Sequence, residues 1–313
     1  MRLLNSICAA GLALAVAIAP AAAGAAERIA IGTGGTGGLF YVIGAGMADI
    51  LNKYMEGATA RAEVTGASVE NIRRVAADQM TFGFSSSSTL FEAKNGEGAF
   101  KEKLPVAAMA YLYPAVLQIA TTADSGIETM KDLAGKRINL GPPGSNSAVL
   151  AQRLLAAYDV FDASNAQFLS YTEGTNALMN GTIDATVVLA GAPTAALIDL
   201  AAQRKMRLVS IDPDQIAPLL KNYPFYQAYE IAAGTYSGQD EPVTVINDPA
   251  TIFTKADAPD DLIYQITKTI FSHLPELGEV HPQAKAITRE TATRTPIDLH
   301  PGAKRYFDEA GAK

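Results

Sequence analysis

Four clusters of small and hydroxyl-bearing residues stand out in the sequence, each directly after a short apolar run. The first is Thr33, Gly34, Gly35, Thr36, Gly37 and Gly38, which follows the apolar residues 29–31 and leads into a helical pattern containing Tyr41. A strand that runs through such a loop into a helix brings free backbone N–H groups and the positive end of the helix dipole to one point. Glycine lets a ligand approach the main chain closely, and threonine adds hydroxyl donors. The second cluster is Ser85, Ser86, Ser87 and Ser88 after residues 80–84; the third is Ser145, Asn146 and Ser147 after residues 137–140. The fourth holds Gly191 and Pro193 after residues 185–189, with Pro193 suited to a first helical turn. All four fall at the carboxyl ends of predicted strands, the edge where open α/β sheets bind ligands. Taken singly, each cluster reads as helix capping by Ser, Thr or Asn; together they predict a site that holds the polar head of a small molecule.

Other chemistry fits less well. Gly32, Gly34 and Gly37 match the spacing of a dinucleotide fingerprint, but the acidic residue wanted about 20 positions later is missing, since Glu63 comes too late. Leu39 stands where a phosphate-cradling P-loop needs lysine. His273, His281 and His300 are isolated in the last fifth of the chain, so neither a metal site nor a cofactor is expected. No G-x-S-x-G elbow is present, and catalysis is not expected, although spacing alone leaves open two carboxylates meeting in a cleft. Tyr111, Tyr113, Tyr229 and Tyr236 are candidates to wall a ligand's carbon skeleton, Tyr113 above all, or else to pack as ordinary amphipathic rings. Arg73, Arg74 and Arg153 could fork a carboxylate but lie on predicted helices as solvated faces.

The elements that position these loops alternate between apolar runs and helical periodicity. Leu39, Ile43, Met47, Ile50, Leu51 and Tyr54 share one helical face at three-and-four spacing. The alternation predicts an α/β fold with largely parallel sheets. The length exceeds one ordinary domain of roughly 100–150 residues. Two stretches, 106–120 and 226–236, read as extended crossings. They predict a two-lobed α/β fold, with the ligand cleft between lobes joined by the crossovers. Residues 27–112 plus 237–313 would form lobe I and residues 113–236 lobe II. No internal repeat is visible.

Residues 1–26 carry a charged start at Arg2, an apolar core over 7–18 and alanines ending at Ala23 or Ala26, the pattern of a cleaved signal peptide. The single cysteine, Cys8, lies within it. Loss of Arg2 takes the formal charge from −7 to −8, and no basic cluster stands out, so nucleic acid is not an expected partner. With 49% hydrophobic and 18% charged residues and no other segment long enough to span a bilayer, the mature chain is expected to be a soluble periplasmic monomer.

Six segments carry a resemblance to the TAXI family, the extracytoplasmic receptors of TRAP transporters. They are IGTGGTGGLFY at 31–41, GASVENIRRVAADQMTFGF at 66–84, DLAGKRINLGPPGSNSA at 132–148, ALMNGTIDA at 177–185, AGTYSGQD at 233–240 and HPGAKRYFDEAG at 300–311. The resemblance implies a two-lobed type II periplasmic-binding-protein fold, capture of a small organic acid, of the amino acid or dicarboxylate class, and its delivery to integral membrane TRAP permease subunits driven by an ion gradient. Leu39, the run Ser85 to Ser88 and Asn146 depart from what similar receptors commonly show, so a particular substrate such as glutamate does not carry over. Two other readings share the organisation: an exported receptor that presents its ligand to a sensor kinase, and an exported hydrolase.

Overall fold

The computed structural model describes residues 27–223 and 225–311. The expected signal peptide and Cys8 lie outside the described residues. The chain runs β1 (Glu27–Gly32), α1 (Leu39–Tyr54), β2 (Ala58–Glu63), α2 (Ser68–Ala76), β3 (Phe82–Ser86), α3 (Ser87–Asn95), β4 (Val106–Tyr113), β5 (Val116–Thr122), β6 (Ile138–Asn139), α4 (Asn146–Ala157), β7 (Ala166–Gln167) and α5 (Tyr171–Met179). It continues through β8 (Ala185–Ala190), α6 (Ala195–Gln203), β9 (Met206–Leu208), α7 (Ala217–Asn222), β10 (Gln227–Ile231), β11 (Val243–Asn247), β12 (Ala250–Lys255), α8 (Asp260–Ser272), α9 (Leu274–Val280) and α10 (Pro301–Glu309).

These elements form two sheets. The first has the order β2-β1-β3-β12-β4; the second has β10-β11-β5-β8-β6-β7, with β9 added alongside β5. Central strands are buried on both faces and so read as continuous small or apolar runs: every residue of β3 and of β8 is buried. The outer strand β10 is exposed at four of its five residues. Helix α1 follows its periodicity, with Leu39, Ile43, Met47, Ile50 and Leu51 buried against the first sheet. Gly44 allows that close approach, because a Cβ there would sit 2.5 Å from Thr33 Cγ2.

The fold is mixed α/β, and the expectation of largely parallel sheets is corrected. β1 pairs in parallel with β2 and β3, and β6 with β7 and β8, but β12 runs antiparallel to β3 and β4, and β5 runs antiparallel to β8 and β11. The physical reason is connectivity: β5, β11 and β12 each follow the preceding strand with no intervening helix, and a parallel partner next in sequence would need a crossover. The chain passes from the first sheet to the second between Tyr113 and Val116, within the expected crossing. It returns between Asn247 and Ala250, not over 226–236, because β10 pairs with β11 and β11 with β5 in the second sheet. The two passages are tied together where the Asp248 N–H donates to the Ala115 carbonyl at 2.7 Å.

Both sheets contain the same unit. β1-α1-β2-α2-β3 and β6-α4-β7-α5-β8 each place their first strand between the other two. In such a sheet the loops after the first and third strands diverge at a switch point, leaving a crevice outside the strands' carboxyl ends.

Candidate ligand-binding crevice

The two switch points face each other. The crevice between them holds about 410 Å³ of empty space, counting what is open to solvent. From the first sheet it is lined by Gly34, Gly35, Gly38, Leu39, Phe40, Ala67, Ser68 and Ser86; from the second by Pro142, Ser145, Asn146, Ser147, Tyr171, Leu189 and Ala190. A larger hollow of about 800 Å³, lined by Arg28, Ala30, Gln79, Met80 and Lys255 among others, lies by the amino ends of β1 and β3. That is the edge where no helix starts from these strands, so the smaller crevice is the candidate site.

Five helix N-termini converge on the crevice. Gly38, Ala67, Ser86 and Ser145 are the N-cap residues of α1, α2, α3 and α4, and Tyr171 is the first residue of α5. Each helix leaves its first N–H groups without intrahelical partners. On α4 the Ser145 hydroxyl accepts from Ala148 N–H at 3.3 Å, and on α5 Ser170 and Glu173 form a reciprocal capping box. On α3 the cap comes from elsewhere: Ser88 N–H donates to Asp248 Oδ1 at 3.1 Å, and Ser87 N–H to the Pro249 carbonyl at 2.9 Å. No side chain at the N-cap of α1 or α2 makes a capping bond. The first lobe therefore presents two helix N-termini whose free amides favour an anion. Ala67 adds strain at this rim: its φ of 69° is a conformation that costs an L-residue roughly 1–3 kcal/mol.

The other sequence-predicted residues are placed as follows. Thr33 is buried, and its hydroxyl donates to the Glu63 carbonyl at 2.6 Å, which binds β1 to β2 and leaves little for a ligand. Thr36 is exposed, Tyr41 is half-buried, and Gly37 packs beside Thr172 of α5; none of the three lines the crevice. Of the run Ser85 to Ser88 only Ser86 lines it. Ser85 donates to the Ser86 carbonyl at 2.9 Å, Ser87 pairs with Thr251 at 2.9 Å, and Ser88 donates to Asp248 Oδ2 at 2.5 Å. Ser147 donates to the Leu140 carbonyl at 2.9 Å. Gly191 sits against Leu39, and Pro193 is half-buried; both are outside the lining. Tyr113 is fully buried without a hydroxyl partner, and burial pushes its phenol well above the usual range. Tyr236 donates to Gln118 and accepts from Thr194 N–H, inside the second sheet's core.

The arginines do not line the crevice. Arg74 pairs with Glu63 at 2.8 Å, Arg73 donates to the Ala99 carbonyl, and Arg153 is held in a buried pair with Glu92 at 2.6 Å, so the expectation of a solvated face fails for Arg153. Its physical reason is that Arg153 points across to α3, not to solvent. The crevice carries no ionised side chain among its lining residues.

Sequence reasoning missed Tyr171, Ser68 and Asp248. Tyr171 lays its ring over Gly38, where a Cβ would come within 3.3 Å of Cε2. Its hydroxyl donates to the Leu189 carbonyl at 2.9 Å and accepts from Leu189 N–H at 3.2 Å, and burial pushes it up to about 12. The signal that could have found it is Ser170-Tyr171-Thr172-Glu173, a capping-box sequence that marks a helix start. Asp248 lies on the return passage, fully buried. Its carboxylate accepts from Ser88 on the first-sheet side and from Asn146 Nδ2, on the second-sheet side, at 2.5 Å.

Solved structures of similar fold include binding proteins of transporters. MatC from Rhodopseudomonas palustris with bound malate matches at a TM-score of 0.57 and 14% identity, covering 90% of this chain and 97% of that one. The substrate-binding protein of an amino acid ABC transporter matches at 0.51 and 14%, covering 81% and 97%. The binding-protein component of an ABC phosphonate transporter from Pseudomonas aeruginosa matches at 0.51 and 12%, covering 84% and 80%. At these identities the likeness is one of fold. Membership rests on the sequence itself: over residues 31–311 the chain matches the NMT1-like family, and it belongs to that family.

Proposed function

We propose that the protein is a periplasmic solute-binding receptor that closes two lobes around a small organic acid and delivers it to a membrane transporter, of the TRAP type that its motifs resemble. The observation that carries this reading is the convergence of five helix N-termini, from both sheets, on a crevice without an ionised side chain. A carboxylate seated there takes its stabilisation from the uncapped amides of α1 and α2. In this reading the lobes are residues 27–113 with 250–311, and residues 116–247; residues 114–115 and 248–249 are the hinge. Ligand binding favours the closed form by its differential affinity for it, and no bond is broken. Malate, amino acid and phosphonate, the solutes named for the three similar structures, support an anionic or zwitterionic ligand class.

Gly38 supplies the test. Its φ of −110° and ψ of 156° suit any residue, so glycine is there for space and not for backbone freedom. Gly38→Val should leave the fold intact by circular dichroism and weaken calorimetric binding of carboxylic acids by at least about tenfold, since the added carbons meet Tyr171. Unchanged affinity would remove the crevice as the site. Turnover of a bound acid would instead favour the exported-enzyme reading, and an adjacent gene for a multi-span, ion-driven permease supports the transport role over a sensor-kinase partner.

A further inference from the structure

Four buried side-chain polar atoms among the described residues have no partner in the protein, Thr89 Oγ1, Tyr113 Oη, Asn247 Oδ1 and Asn146 Oδ1, and of these residues only Asn146 lines the crevice. Ser88 Oγ gives its hydrogen to Asp248 Oδ2 at 2.5 Å and accepts from Tyr226 Oη and Asn146 Nδ2, both at 3.3 Å. A hydroxyl has one donor and two acceptor positions, so Ser88 is full. Asp248 accepts from Ser88 N–H, Ser88 Oγ and Asn146 Nδ2. Asn146 is 2% exposed and lines the crevice. Both of its Nδ2 contacts are made, but its Oδ1 is buried with no partner in the protein.

The amide cannot turn over to relieve this. Exchanging the two atoms would set the carbonyl oxygen 2.5 Å from the Asp248 carboxylate, acceptor against acceptor, and would strip Ser88 of a donor. The orphan acceptor is therefore fixed in place. An acceptor held this way in a buried site rejects a ligand that cannot donate to it, because its desolvation is then uncompensated.

We propose that Asn146 is a specificity-determining residue that selects acids carrying a hydrogen-bond donor, a hydroxyl or an amine N–H, beside the carboxylate. The proposal rests on the organic-acid reading above and deepens it. The carboxylate seats on the amides of α1 and α2 in the first lobe, and the donor reaches Oδ1 on α4 in the second, so a ligand with both groups ties the lobes together. A plain acid of the same length satisfies only one side.

The experiment is calorimetric titration of the purified protein at pH 7.5 with three matched series: propionate, lactate and alanine; succinate, malate and aspartate; glutarate, 2-hydroxyglutarate and glutamate. In any series that binds, the hydroxy or amino member should bind about 10- to 100-fold more tightly than the plain acid. Which of the two wins identifies the donor as hydroxyl or amine. Asn146→Leu, which keeps the volume and removes the acceptor, should bring that ratio to near one; should the variant not fold, the wild-type series decides alone. A plain acid that binds as tightly as its substituted partners overturns the proposal and leaves the receptor reading standing. Absence of binding in all three series overturns both.

Discussion

Asp248 shows how much a single side chain can be asked to do at a junction. It caps α3, holds the amide of Asn146 and stands on the passage that returns the chain to the first sheet. Burial pushes its carboxyl up to about 6, while the bonds from Ser88 and Asn146 pull the other way. A folded value above the unfolded one means that the folded protein holds a proton the unfolded chain has released. The stability this group contributes is thus fully present below about pH 4 and is lost as pH rises through about 6. In urea titrations the stability of wild type relative to Asp248→Asn should fall between pH 4 and pH 7; a flat or rising difference refutes the assignment. In the sequence Asn247-Asp248-Pro249 reads only as a turn signal between two apolar runs. Its role arises when α3 and α4, far apart in the chain, meet around it, and no local pattern encodes that meeting. The serine run behaves oppositely: its place at the end of β3 was legible, but its four hydroxyls divide between backbone, Thr251, Asp248 and the crevice by alternation that only the fold fixes.

Among the elements, α4 carries the contact between the lobes. Asn146 and Arg153 are seven residues apart, two helical turns, and so share a face. Arg153 reaches Glu92 on α3 at 2.6 Å, donates to Tyr226 Oη at 2.9 Å and lies 4.3 Å over the Tyr223 ring. Arg153→Met should destabilise the protein by about 3–5 kcal/mol, because Glu92 would be left buried without its partner. Adding Glu92→Leu should recover most of that loss in a double-mutant cycle; a single-variant cost within experimental error of zero would show that the pair is not felt. The helix itself was legible from its periodicity. The partner of its polar face was not, since an arginine on an amphipathic helix reads as solvated until the first lobe packs on it.

At the scale of the molecule, two copies of one β-α-β-α-β arrangement face each other although no repeat shows in the sequence. The arrangement needs only buried central strands and helices that start at their carboxyl ends, and many unrelated residue choices meet those needs. That is why the alternation of apolar runs and helices predicted the architecture, while the antiparallel strands went unforeseen: their direction depends on which sheet the chain enters after each passage. The two passages are bonded to each other beside Asp248, the hinge of the proposed closure, while Gly35 of the first lobe meets Ser170 of the second. A Cβ built on Gly35 would stand 3.8 Å from Ser170 Cβ, the mean separation across a disulfide, about 3.8 Å. Since the sequence has no cysteine after Cys8, a Gly35→Cys, Ser170→Cys pair would meet no competing thiol downstream of it. Oxidised, this variant should scatter X-rays as one compact particle whether or not solute is added, and dithiothreitol should restore solute uptake and release; a pair that never cross-links would place the rims apart. A redox clasp of this kind would turn the receptor into a trap that retains whatever it held when oxidant was added.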